Sequence, residues 1–303
     1  MTRKPVAALL HWFDSHAAND SASDDDQRID WLRVLPFILL HLSCLAVLWV
    51  GFSWTAVWVA LASYAVRMLG ITAGYHRYFS HRAYKTSRVM QFILAVSGNA
   101  STQRGPLWWA AHHRHHHSAS DLPTDSHSPV QHGFWWSHVG WFLARGSFRT
   151  RFERVADYAK FPELRFLDRF DWLVPALYAL CLYGLGEWLA AYRPELGTNG
   201  LQILVWGFSI STIALFHLTF SVNSLAHILG TRRYATRDNS RNNFLLALFT
   251  FGEGWHNNHH FFSASVRQGF FWWQLDVTYY LIKTLSWLGL VWELRVPPAR
   301  VKA

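Results

Sequence analysis

Three groups of histidines have the residue type and spacing for metal chemistry. They are His76 with His81, then His112, His113, His115, His116 and His117, then His256, His259 and His260. A neutral imidazole nitrogen is a common ligand for transition metals. Histidines three or four residues apart on a helix share one face. His113 with His116 and His117, and His256 with His259 and His260, can therefore reach one ion or two adjacent ions. His76 and His81 are five apart and less well aligned, so a helix carrying them is expected to end or bend near Phe79. Asn223 and His227 lie one helical turn apart. Alone, such a pair at a helix end is more often a cap; beside the other clusters it is a further contribution.

The remaining histidines read differently. His112 and His115 interleave with the better-spaced trio and are expected behind the ligands or at the surface. His127 is the candidate for orienting a ligand. His41 and His217 are expected to hydrogen-bond between helices, and His11 and His16 to face solvent. Nine histidines and one asparagine are left. That is too many for one ion of about four to six ligands, so two ions are expected. A structural zinc site would use four ligands, often cysteines. A dinuclear, open, histidine-rich site suits O₂ activation against an unactivated C–H bond, with the protein holding the ions and excluding water.

Positioning such a site falls to a greasy chain. Of 303 residues, 51% are hydrophobic, 17% aromatic and only 16% charged, where soluble domains average about a quarter charged. The 18 tryptophans point the same way, because Trp and Tyr collect at lipid–water interfaces. Four segments, about 34–52, 54–74, 172–192 and 200–222, approach the ~20 apolar residues that cross a bilayer. Short links pair them into two hairpins. Of the Lys and Arg, 4 precede the first span, 13 lie between Tyr75 and Asp171, and 9 follow Ala226. By the positive-inside rule both termini and every histidine cluster are cytoplasmic. The expected fold is all-α and integral to the membrane: residues 1–30 form a cytoplasmic N-terminal segment, and 31–303 form four transmembrane helices under a cytosolic helical cap.

The net charge of +9 follows from this bias and from anionic lipid headgroups, and does not call for nucleic acid. Cys44 and Cys181 lie in apolar segments and read as small buried hydrophobes. No cleavable signal peptide is evident, and Asp24, Asp25 and Asp26 mark a polar stretch. The segment 270–291 is long enough to cross, but Gln274, Asp276 and Lys283 interrupt it, so an interfacial helix is expected. Arg67, within the second span, needs a partner or a route to the interface, and its place about two to three turns below His76 allows snorkelling.

The stretches GITAGYHRYFSHRAYK, HHRHHH with DSHSP, GFWWSHVGW, NSLAH and GEGWHNNHHFF resemble, in order, the membrane fatty acid desaturases of the stearoyl-CoA (delta-9) type, over Gly70 to Phe262. The resemblance implies a di-iron centre under four spans and O₂-dependent formation of a cis double bond in a saturated acyl chain, acyl-CoA foremost. It implies one iron on His76, His81, His113, His116 and His259. The other would take His117, His227, His256 and His260, with Asn223 acting through a water. Arg145 matches a family position that faces CoA. The Arg-Asp pair that engages CoA in the animal enzymes is replaced by Ala111 and His112, which leaves phospholipid- and carrier-protein-linked chains as alternatives. No haem domain follows the last interfacial segment, so electrons are expected from a separate ferredoxin, rubredoxin or cytochrome b5. The location implied is a multi-pass membrane protein, of the inner membrane in a bacterium. The competing readings are a di-iron hydroxylase of alkane, sterol or carotenoid type, and a metal-binding membrane protein without catalysis.

Overall fold

The structure, a computed structural model, describes residues 10–16, 23 and 26–302. Most of the segment 1–30, with Asp24 and Asp25, therefore lies outside the described residues. The helices that position the site are α1 (Leu35–Val50), α2 (Trp54–Ser80), α3 (Arg88–Asn99), α4 (Pro106–Ala119), α5 (Leu173–Tyr192), α6 (Gly200–His227), α7 (Phe244–Phe249), α8 (His256–Phe261) and α9 (Val277–Trp287). One short antiparallel pair, Lys85–Thr86 with Val291–Trp292, departs from an all-helical chain.

Three helices, α2, α5 and α6, are long and apolar enough to cross a membrane. The expected fourth, α1, is shorter: its 16 residues between Leu35 and Val50 rise only about 24 Å, against a hydrocarbon core of about 30 Å. Pro36 fixes its start, and Gly51 stops it with φ +68°. The link to α2 is tied to α6, where Gln202 donates to the Val50 carbonyl (2.8 Å) and Trp206 to the Gly51 carbonyl (2.9 Å).

Along α2 the environment changes. Trp58, Leu61 and Val66 are exposed on its first half, while all 11 residues from Gly70 to Ser80 are buried. Gly70 lets α3 cross closely, since a Cβ there would stand 2.5 Å from the Ser97 backbone. Arg67 does not snorkel. It is buried and donates to Thr212 Oγ1 (2.5 Å), Ser211 Oγ (2.6 Å) and the Ser63 carbonyl (3.2 Å). Hydroxyls on α6 thus supply inside the bundle the partners that snorkelling would seek in water.

Other expectations divide. His41 and His217 do meet between α1 and α6 (3.3 Å). His16 instead contacts Asp168 (3.0 Å), and His11 is half-buried. Cys181 is exposed on α5, not buried. The segment 270–291 carries only α9, 11 residues capped by Asp276 and too short to cross.

Candidate metal centre

Four helix ends converge on the histidines. The last part of α2, Gly70–Ser80, is wound as a π-helix, whose hydrogen bonds run from i to i+5. That wider turn stacks residues five apart, so His76 and His81, expected to be misaligned, bring their Nε2 atoms to 3.1 Å. α4 starts at Gly105, where no side chain of its own caps it. Asp168, distant in sequence, accepts from the Leu107 and Trp108 amides (3.0 and 2.8 Å). This fixes the helix bearing His113, His116 and His117. The final turn of α6, Leu225–His227, tightens to a 3₁₀ form and buries His227. α8 presents His256, His259 and His260.

The nine histidines form two groups, and within each the potential ligand atoms lie within 4.8 Å of one another. The first contains His76, His81, His113, His117 and His259, and the second His116, His227, His256 and His260. Compared with the expected partition, His116 and His117 are exchanged. His116 turns its Nδ1 to Asp125 and its ring towards His227 and His260, while His117 Nε2 meets His259 Nε2 at 2.9 Å.

The donor sets fit metal ions. In the first group Nε2···Nε2 separations are 3.1 Å for His76–His259 and 2.8 Å for His81–His113; in the second, His227–His256 is 3.1 Å. Two nitrogens at right angles about an ion at about 2.1 Å stand about 3.0 Å apart. Moreover, four of the rings have Nδ1 engaged by a carboxylate: His76 by Glu253 (2.5 Å), His116 by Asp125 (2.9 Å), His227 by Asp121 (3.1 Å) and His260 by Asp238 (2.6 Å). With the proton on Nδ1, each Nε2 carries a lone pair. Lone pairs facing one another in a buried site repel unless a cation stands between them. Among the described residues, His260 Nε2 is buried without a hydrogen-bond partner.

Protonation follows the same logic. Burial, reinforced by neighbouring imidazoles, holds His81, His113, His117, His256 and His259 well below their ordinary range, so they are neutral. Against its own burial, Glu253 is drawn down to about 2 by His76 and Arg77. At His116, burial opposes the charged form, but Asp125 outweighs it and raises the ring.

The four carboxylates are the functional residues that spacing alone missed. Glu253 stands three before His256, and Asp121 and Asp125 follow the second cluster closely, so proximity was a usable signal for these three. Asp238 had none. His127, expected to orient a ligand, stacks on His116 (4.4 Å), and its Nδ1 lies 3.6 Å from Asp125, the carboxylate that engages the His116 Nδ1. His112 is buried outside both groups, and His115 is bonded to the Thr124 carbonyl (2.9 Å).

A cavity of about 300 Å³ reaches His76, His113 and Glu253, and its other walls include Phe37, Leu40, Trp108, Trp141 and Phe216. Asn223 lines it as well. Arg145 is not among its lining residues; its guanidinium stands 3.7 Å from Asp30.

A family model described as fatty acid desaturase matches residues 52–286. The chain is 38% identical to an acyl-CoA 5-desaturase of Anemone leveillei, over 90% of this chain and 85% of the relative. It is 36% identical to delta-9 acyl-lipid desaturase 1 of Arabidopsis thaliana (89% and 85%). It is also 36% identical to the sn-1 stearoyl-lipid 9-desaturase of Anabaena variabilis (91% and 97%). A buried polyhistidine centre able to hold metal, beside an apolar cavity, thus comes with a sequence match across most of the chain: this protein is an oxidoreductase that belongs to the fatty acid desaturase family.

Proposed function

We propose that the chain introduces a cis double bond, at the Δ9 position, into a saturated acyl chain, consuming O₂, two electrons and two protons and releasing two waters. The observation that supports this most is the apolar cavity abutting the first histidine group. It offers an acyl chain burial away from water and brings its methylenes to the metal centre.

His76, His81, His113, His117 and His259 would hold one iron, and His116, His227, His256 and His260 the other, with Asn223 acting through a water. Two irons bound there supply the activation of O₂ that an unactivated C–H bond requires. The residues around them do the positioning: Glu253, Asp125, Asp121 and Asp238 orient the rings, while Phe37, Leu40, Phe216 and Trp141 exclude water. Electrons come from a separate ferredoxin, rubredoxin or cytochrome b5. The concentration of Lys and Arg on the histidine side supports a cytoplasmic placement of that end and of both termini, and attraction of an acidic donor.

Acyl-CoA was the carrier expected from the sequence. The position of Arg145 beside Asp30, away from the cavity, does not strengthen that expectation, and the relatives are named for both CoA- and lipid-linked substrates. Expression in a desaturase-deficient host, with gas chromatography of total fatty acids, should reveal a new Δ9 monounsaturated acid. Purified enzyme given stearoyl-CoA or stearoyl-phospholipid then identifies the carrier. A hydroxylated alkane, sterol or carotenoid in the host's lipid extract, in place of the unsaturated acid, would establish the hydroxylase reading. No new monounsaturated acid from iron-loaded protein with an active donor would overturn the desaturase reading.

A further inference from the structure

The two histidine groups stand in different fields. Beside the second, Asp121, Asp125 and Asp238 each hold the Nδ1 of a different histidine, namely His227, His116 and His260. Neutral donors also bond these carboxylates: the Ser128 hydroxyl and Asn239 amide reach Asp121, the Asp121 and His127 amides reach Asp125, and the Ser240 amide reaches Asp238. Beside the first group, Glu253 holds His76, and the Arg77 guanidinium lies against it at 3.0 Å. Asp276 pairs with the same guanidinium at 2.9 Å. The triad of Glu253, Arg77 and Asp276 carries one net negative charge against three beside the second group.

We propose that this asymmetry separates the two metal positions in redox potential. The position built from His116, His227, His256 and His260 favours the ferric state, and the first electron reduces the ion held by His76, His81, His113, His117 and His259. The inference rests on the di-iron reading above. A carboxylate on the far nitrogen raises the basicity of an imidazole ligand. In a buried site of low dielectric its charge also acts strongly on the ion. Both effects favour Fe(III) over Fe(II). The first group's extra imidazole is neutral, so it adds affinity for both oxidation states more than it separates them. Each step is a one-electron transfer, Fe(III) to Fe(II), from a one-electron reductant, with no bond broken.

The test is an anaerobic reductive titration of the full-length, iron-loaded protein, followed by Mössbauer and EPR spectroscopy. Two separate one-electron steps with a mixed-valence species between them are expected. Asp125→Asn and Asp238→Asn keep an oxygen acceptor for the imidazole N–H and remove the charge, together with one backbone amide contact each, from His127 and Ser240. Each should ease the second step by roughly tenfold in the reduction equilibrium, about 59 mV for one electron, and leave the first in place. Glu253→Gln should move the first step only. Coincident steps in the native protein overturn the proposal, as do Asp→Asn variants that shift the first step or neither. An Asp125→Asn or Asp238→Asn variant that binds less iron is scored by which Mössbauer component disappears: loss of the component reduced last supports the assignment, and loss of the other overturns it; for Glu253→Gln the two outcomes are reversed. Failure of the desaturase reading is distinct, since it shows as no unsaturated product or fewer than two irons in the native protein. Coincident potentials in an active di-iron enzyme sink this proposal alone.

Discussion

The two halves of helix α2 show two ways of holding a helix in place. Its first half turns Trp58, Leu61 and Val66 outwards and packs its small residues Ala56 and Ala60 inwards. Its last 11 residues are wholly buried and fixed by named polar bonds: Arg77 to Glu253 and Asp276, Ser80 to the Tyr75 carbonyl (2.8 Å), and Tyr84 to the Ala73 carbonyl (2.9 Å). The same contrast runs through the molecule. α5 buries only Pro175, Leu182, Gly186 and Leu189, whereas α8 buries four of its six residues. Apolar packing tolerates substitution of similar volume; a buried polar network loses the desolvation cost of every partner left unpaired. The histidine end should therefore be sensitive in function, and the apolar end in stability.

The largest expected effect is at the histidine end. His117→Ala or His260→Ala should abolish turnover and remove metal while circular dichroism reports an unchanged helix content. Retention of activity in either would show that the register of that cluster is misread. Next, Glu253→Gln leaves the imidazole of His76 with a weaker partner and should lower metal affinity roughly 10–100-fold, measured by metal content after dialysis against a chelator. Third comes the apolar end, where Arg67→Leu strips donors from Ser211, Thr212 and the Ser63 carbonyl. A cost of about 3 kcal/mol should appear as a lower midpoint in thermal unfolding, with iron content per folded chain preserved. If Arg67→Leu instead empties the metal site at full stability, the division between the two ends fails. The smallest effect belongs to His115→Ala, which should leave turnover nearly unchanged, because that ring bonds the Thr124 carbonyl and lies outside both histidine groups. Damage equal to that of His117→Ala would refute the placement of both.

Much of this site was readable before any fold. Spacing singled out nine histidines, and all nine fall into the two groups. The length of the apolar runs placed α5 and the start of α6, and helical spacing demoted His112 and His115, which lie outside both groups. What was not legible shares a cause: it depends on what another segment presents. Arg67 needed a partner or a route to water, and hydroxyls from a helix some 145 residues later are the partner. The placement of His116 and His117 in separate groups was not legible in their spacing, which lets both reach one ion or two; Asp125 holds the His116 ring towards the second group. Asp238 lies 22 residues from the histidine it holds, and its side-chain type gives no sign of that partner.

The π-helical turn before His81 makes residue count a constraint of its own. In an α-helix, a residue five positions on points about 140° away around the axis, so His76 and His81 would face different sides of the helix. Removal of one residue between them would restore a common face in an α-helix while shifting everything downstream, including the turn that meets Arg114 through the Phe79 and Ser80 carbonyls. Variation along 77–80 should therefore be found as exchange of one side chain for another and not as change in length. Among related chains, a gap placed there by an alignment would mark a misplaced residue before it marked a different protein.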